Sequence, residues 1–245
     1  MSNASEDTTQ SKSPKRVLAV FAHPDDPEFF CGGTMARWAH EGAYITFVLA
    51  TSGDKGSSDP EMTHARLIEI REREEQNAAT VLGVKEVVFL RHPDGELQPD
   101  LELRRDITRL IRMKQPDIVV TCDPTVFWFG TTGINHPDHR AIGAATLDAV
   151  FPTARDRLNY IELERDEGLQ PHKTAQLYIC GTQSATTKVD VTAFLETKVN
   201  ALYEHKSQIA DMQAMAERQR ANRDPESPDD TPRYMESFRV ITFNR

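Results

Sequence analysis

Two short segments of this 245-residue chain gather side chains that bind metals and move protons. The first is Ala22-His23-Pro24-Asp25-Asp26-Pro27-Glu28, and the second is Asn135-His136-Pro137-Asp138-His139-Arg140. A catalytic zinc ion takes three protein ligands, usually imidazole and carboxylate, and keeps a fourth position for water. His23, Asp26 and His139 supply such a set for one Zn2+ per chain, although two imidazoles and a carboxylate also suit other divalent transition metals. Asp25 is then left to face the water and take its proton. Zinc lowers the pKa of that water toward ~7, and a carboxylate beside it is a competent base.

His136 is spare, and Asp138 follows it by two residues. A carboxylate on one ring nitrogen orients an imidazole and stabilises its protonated form. A His136–Asp138 pair can therefore hydrogen-bond a tetrahedral oxyanion or protonate a departing amine. Metal, water, base and acid are the parts that amide hydrolysis requires. A lone His-Pro-Asp is ordinarily a turn, and a third copy, His92-Pro93-Asp94, is read as one. The signal lies in the pairing of the other two.

Both segments follow runs that read as buried strands. Val17 to Phe21 is continuously apolar, and Ala43 to Ala50, Val87 to Leu90 and Ile118 to Thr121 repeat the pattern. Between them lie helical stretches from Gly33 to Gly42, Thr63 to Leu82 and Leu101 to Lys114, and another runs from Arg140 to Phe151. Strands alternating with helices of this length predict βαβ units and a mostly parallel sheet of the α/β class. Ligands of such sheets sit outside the carboxyl ends of the strands, which singles out loops 22–31, 51–62 and 122–140.

The second half is less regular. Pro152 to Pro171 reads as surface, Gln176 to Cys180 as a strand, and Ala193 to Ala216 as one long helix. Glu217 to Arg233 has almost nothing apolar and is expected to be a mobile loop or lid. Residues 1–15 read as a disordered leader, so residues 16–245 are expected to form a single catalytic domain.

The net charge of −9 and pI near 5.4 argue against a nucleic-acid binder, which shows a clustered basic face. No apolar run approaches the ~20 residues that a membrane span needs. Three scattered cysteines, Cys31, Cys122 and Cys180, form no disulfide framework, and a reducing cytoplasm is the natural compartment. No apolar stripe settles the oligomeric state, and a homo-oligomer is compatible with the sequence.

The chain resembles the PIG-L (LmbE-like) family of zinc-dependent N-acetylglucosaminyl deacetylases. Ala22-His23-Pro24-Asp25-Asp26 with Glu28, and His136-Pro137-Asp138-His139-Arg140, carry the resemblance. Thr51-Ser52-Gly53-Asp54, Arg71 and Glu74 ahead of Ala78-Ala79, Asp94-Gly95, Pro116-Asp117, and Lys198 through His205, Ser207 and Gln208 support it. The resemblance implies a Rossmann-like three-layer α/β/α fold and zinc on His23, Asp26 and His139. It also implies Asp25 as general base and His136, paired with Asp138, as acid or oxyanion donor. Arg71 and Asp94 would contact sugar hydroxyls, although glutamates along its own helix account for Arg71 almost as well. Some members carry a tyrosine just before the second motif. Here Ile134 and Asn135 stand there, and Phe127, Trp128 and Phe129 are candidates to line the pocket instead.

The leading expectation is removal of an acetyl group from the nitrogen of an N-acetylglucosamine conjugate, a small-molecule amino sugar. A rival hydrolase would cleave the amide of a larger sugar-thiol or secondary-metabolite conjugate with the same metal chemistry. A non-catalytic zinc-binding interaction module is the rival of another class, but such a site is usually closed by four ligands and has no use for Asp25. A nucleotide-binding protein is disfavoured because no G-x-G-x-x-G follows the first strand. Thr51 to Ser58 lacks phosphate-cradle spacing and reads as a rim loop, and His205 reads as structural.

Overall fold

The computed structural model describes residues 16–243; the leader expected over residues 1–15 lies outside the described residues. Strand and helix alternate as β1 (Arg16–Phe21), α1 (Asp26–His40), β2 (Tyr44–Thr51), α2 (His64–Leu82), β3 (Glu86–His92), α3 (Leu101–Lys114) and β4 (Ile118–Cys122). A small hairpin, β5 (Trp128–Phe129) with β6 (Gly133–Ile134), leads into α4 (Pro137–Asp148) and α5 (Ile161–Glu167). Then come β7 (Gln176–Cys180), β8 (Thr187–Asp190), α6 (Leu195–Leu202), α7 (Met212–Ala221) and β9 (Met235–Thr242).

Seven strands form one sheet in the order β3-β2-β1-β4-β7-β9-β8. The first five are parallel neighbours, and β9 pairs antiparallel with both β7 and β8. Side chains of β1 alternate between faces, as strand geometry requires. Val17, Ala19 and Phe21 join α1, α2 and Ala201 of α6 in one core. Leu18 and Val20 join α3 and α4 in the other. The result is the mostly parallel sheet that the alternation predicts, in the three-layer α/β/α arrangement that the resemblance implies.

Topology puts the two motifs together. From β1 the chain winds outward through β2 and β3, then returns to add β4 on the other side of β1. Loops leaving β1 and β4 therefore diverge at the carboxyl edge and open a crevice between them. The first of these loops carries His23 and Asp25, and the second ends at His136.

Several elements differ from the sequence reading. α1 begins at Asp26 rather than at the glycines, with a break at Cys31 (φ −149°, ψ 20°). Behind the break the Glu236 carboxylate accepts the Gly33 and Thr34 N–H groups, at 3.0 and 2.7 Å, and so restarts the helix from outside. The long helix expected over 193–216 is two helices, because residues 203–211 turn away and the Asp211 side chain caps α7 by accepting Ala214 N–H. α7 takes in residues 217–221 of the stretch expected to be a loop. Beyond it, Asp224 N–H bonds Arg233 O, and Lys188 reaches the buried Asp224 carboxylate. β8 and β9, unassigned from sequence, are short or alternate polar and apolar residues, which leaves no continuous apolar run.

Candidate active site and metal centre

α1 starts tightly after β1. Asp26 Oδ2 accepts the His23 N–H at 2.8 Å, closing the turn, while Asp25 takes a left-handed conformation at φ 99°. On the facing loop His136 is the N-cap of α4, with Nδ1 accepting the Asp138 N–H at 3.2 Å. His139 is on the first turn of that helix. The imidazoles of His23, His136 and His139 converge, with ring centroids 4.7 to 5.4 Å apart.

His23, Asp26 and His139 offer ligand atoms all within 4.8 Å of one another. Asp26 Oδ1 lies 3.0 Å from His139 Nε2, and Oδ2 lies 3.4 Å from His23 Nδ1. The far nitrogen of each ring is engaged: His139 Nδ1 meets Asn135 Oδ1 at 3.0 Å, and His23 Nε2 meets Asp94 Oδ1 at 3.1 Å and Asp138 Oδ2 at 3.2 Å. Metal-binding histidines characteristically have the second nitrogen held by an outer acceptor, which fixes ring orientation and tautomer. Two imidazole nitrogens and a carboxylate facing one point, each imidazole held from behind, fit a divalent metal.

The charges agree with a cation site. Burial works against a charge on His23, but the carboxylates of Asp138, Asp26 and Asp94 outweigh it and push its pKa up to about 12. Burial would raise Asp26, yet His139 and His23 hold it well below the usual carboxylate range. Asp94, also opposed by burial, is held at about 2 by His23 and the Lys55 N–H. Asp25 behaves differently: burial raises it to about 6, with Arg71 opposing and Asp26 reinforcing. Burial and the neighbouring His23 lower His136.

All eight residues singled out from sequence meet here. A cleft of about 350 Å³ is lined by His23, Asp25, Asp26, Arg71, Asp94, His136 and His139, together with Lys55, Gly56 and Gly95. Asp138 is fully buried against His23. A larger hollow, about 460 Å³, opens at the opposite edge of the sheet beside Arg16, Tyr44 and Lys114. Its lining includes no histidine and one carboxylate, Glu86, which Lys114 already engages.

Two relationships differ from the sequence reading. Asp138 does not hold His136 through its carboxylate: that group accepts the Gly95 and Leu97 N–H groups, at 2.7 and 3.2 Å, and meets His23 Nε2. What His136 receives from Asp138 is the backbone N–H. Arg71 is neither solvent-facing nor paired with helix glutamates. It is buried, donating to Gly53 O at 2.9 Å, Pro24 O at 2.6 Å and Asp25 Oδ2 at 3.3 Å. The His92-Pro93-Asp94 segment brings Asp94 to the cleft, as the resemblance implies, where its carboxylate meets His23 Nε2. The loop after β3 therefore belongs to the site beside the three loops expected.

Sequence reasoning missed Asn135 as the support of His139. It also missed the buried group behind Asp25, where His205 Nε2 lies 3.4 Å from Glu28 Oε2 and 3.9 Å from Glu75 Oε2. Glu74 anchors the segment that carries His205 by accepting the Ser207 N–H and hydroxyl, at 2.8 and 2.6 Å. An Asn four residues before a His, on a helix start, was the one readable signal.

A Rossmann-like sheet with a His, Asp, His cluster and a further aspartate at its switch point is the layout of a metal-dependent hydrolase. Residues 18–150 match the family model described as PIG-L, GlcNAc-PI de-N-acetylase. The diacetylchitobiose deacetylase of Thermococcus kodakarensis is 33% identical over 195 residues, covering 80% of this chain and 70% of that protein. The 1D-myo-inositol 2-acetamido-2-deoxy-alpha-D-glucopyranoside deacetylase of Thermobifida fusca is 30% identical, covering 80% of this chain and 84% of that one. Among solved structures, the N,N'-diacetylchitobiose deacetylase of Pyrococcus horikoshii superposes with a TM-score of 0.84 at 30% identity, covering 94% of this chain and 85% of that one. The chain belongs to the PIG-L family of deacetylases, hydrolases of the amide on an amino sugar. The three cysteines are free and buried, and no described helix is long and apolar enough to cross a membrane.

Proposed function

We propose that this protein is a zinc-dependent N-deacetylase that releases acetate from the 2-acetamido group of an N-acetylglucosamine conjugate. The observation that carries the reading is the set His23 Nδ1, Asp26 and His139 Nε2, facing one another with Asp25 beside them in an open cleft. These three residues would hold the zinc. When bound, zinc supplies a Lewis acid that makes water a nucleophile near neutral pH.

The chain's own groups do the proton work. Asp25, raised to about 6, takes a proton from the attacking water as the new C–O bond forms. Arg71, 3.3 Å from its Oδ2, orients that carboxylate. His136 Nδ1 is occupied by the Asp138 N–H, so its proton is on Nε2, where it donates to the carbonyl oxygen as charge builds there. Asp25 then passes its proton to the nitrogen as the C–N bond breaks, giving acetate and a free amine. Arg71 and Asp94 are the groups proposed to meet sugar hydroxyls, with Lys55 beside them on the lining, its N–H bonded to Asp94 Oδ2 at 2.9 Å. The cytoplasm remains the proposed compartment.

One observation favours a conjugate larger than a single sugar. Phe127, Trp128, Phe129 and Ile134 stand exposed on the hairpin that runs directly into His136. They offer apolar surface for a second ring or an acyl chain.

The test is zinc content per chain for the parent and His139→Ala, followed by assay of released acetate from a panel of N-acetylglucosamine conjugates. About one zinc in the parent, little in the variant and acetate from at least one conjugate is the expected result. A parent that stays empty when zinc is supplied at neutral pH would overturn the reading.

A further inference from the structure

The Pro24–Asp25 peptide is gripped on both sides by one helix. Arg71 Nη2 donates to Pro24 O at 2.6 Å, and Glu75 Oε2 accepts the Asp25 N–H at 3.0 Å. These are the two polar ends of a single peptide plane. Arg71 and Glu75 are four residues apart on α2, so they project from the same helix face, one turn above the other.

That peptide is where the backbone is least comfortable. Asp25 has φ 99°, a region that a residue with a Cβ seldom occupies. Such conformations persist only where the surroundings over-determine them. Rotating the 24–25 peptide plane would relax φ and break both contacts that fix the turn bearing the Asp25 carboxylate. It would also turn the Asp25 N–H toward the Arg71 guanidinium, a donor facing donors, and leave the buried Glu75 oxygen without its partner.

Glu75 is itself enclosed. Its side chain is fully buried, and His205 Nε2, from the segment after α6, lies 3.9 Å away. His205 also reaches Glu28 at 3.4 Å, one turn into α1. Three elements therefore converge behind Asp25 without touching the cleft: Glu75 and His205 are absent from its lining.

We infer that Glu75 is a positioning residue for the general base. With Arg71 it locks the Pro24–Asp25 peptide plane and so aims the Asp25 carboxylate at the reaction centre. The inference rests on the deacetylase reading for its kinetic consequence but not for its structural one.

The test compares Glu75→Gln, which retains an oxygen acceptor, with Glu75→Met, which matches its length and offers none. Glu75→Ala serves if methionine is not accommodated. The measurements are kcat and KM on the conjugate that the parent turns over, zinc per chain, and crystal structures of the parent and both variants. Glu75→Met should lower kcat roughly 10- to 100-fold, the scale of a misplacement near 1 Å. KM should stay within about twofold, the zinc should be retained, and Asp25 should relax to negative φ. Glu75→Gln should recover most of kcat and keep positive φ. Equal losses in both variants, or an unmoved Asp25 in the methionine or alanine variant, would overturn the inference. If the parent binds zinc yet hydrolyses no amino-sugar amide, the functional reading fails, and the φ of Asp25 alone decides this one.

Discussion

Asn135 Oδ1 lies 3.0 Å from His139 Nδ1, and this contact turns the other ring nitrogen, Nε2, to within 3.0 Å of Asp26 Oδ1. The same asparagine closes the hairpin loop, with its N–H on Phe127 O at 2.9 Å and its side-chain amide on Val126 O at 2.8 Å. One buried residue thus couples the apolar rim to a proposed metal ligand. Replacing it with alanine should weaken zinc binding about 10- to 100-fold, as loss of an outer hydrogen-bond partner does elsewhere. Asn135→Asp, which keeps the acceptor, should hold zinc more tightly than the alanine variant. Competition against a zinc chelator measures both.

Asp25→Asn separates base from ligand. The amide cannot take a proton, but His23, Asp26 and His139 are untouched. Zinc content should match the parent, while kcat falls by ~10² or more. Loss of zinc in this variant would mean that Asp25 is itself a ligand.

Glu75 makes a prediction about stability and pH. Burial, reinforced by the nearby Glu28, raises its pKa well above the ordinary value of 4.5. An acid raised in the folded state stays protonated while the unfolded chain ionises, so folding loses stability as pH climbs from the unfolded pKa to the folded one. Below that window the group contributes nothing either way. Glu75→Gln abolishes this titration. Its Tm relative to the parent should therefore rise between about pH 4 and neutrality, and a Tm difference that shrinks over that range would contradict the assignment.

Gly143 places α4, which carries the proposed ligand His139, against the sheet. A Cβ there would fall 2.4 Å from the backbone oxygen of Cys122, at the end of β4. Backbone cannot yield as a flexible side chain does, so Gly143→Ala should cost about 1–3 kcal/mol. Thermal melts should show a Tm lower by roughly 2–4 °C per kcal/mol for a chain of this size. Because α4 starts at His136 and His139, zinc affinity should fall as well.

Much of the fold was legible because its signals are local. Val17 to Phe21 and Ile118 to Cys122 are buried on both faces of a parallel sheet, so they read as continuous apolar runs. The second half of the chain was read less well for the converse reason. β9 is intermittently exposed and lies antiparallel between β7 and β8, so its seat is set by partners rather than by its own pattern. The break between α6 and α7 owes its shape to Glu74, on another helix, drawing Ser207 in.

The sequence by itself determined the proposed metal ligands and base. His23, Asp25 and Asp26 share one turn, and His136 and His139 share one helix start, so chain connectivity alone fixes each set. The alternation of strand and helix then requires both loops to leave the same edge of a parallel sheet. Only the tertiary structure decided what stands behind them. Asp138, 115 residues from His23, gives its carboxylate to that ring and to the loop at Gly95 rather than to His136. Arg71 and Glu75 grip the Pro24–Asp25 peptide from 47 and 50 residues away. Which buried polar group satisfies which depends on how helices seat against the sheet. Residue type and spacing carry no record of that seating, because each group could bond any of several partners until packing leaves one in reach.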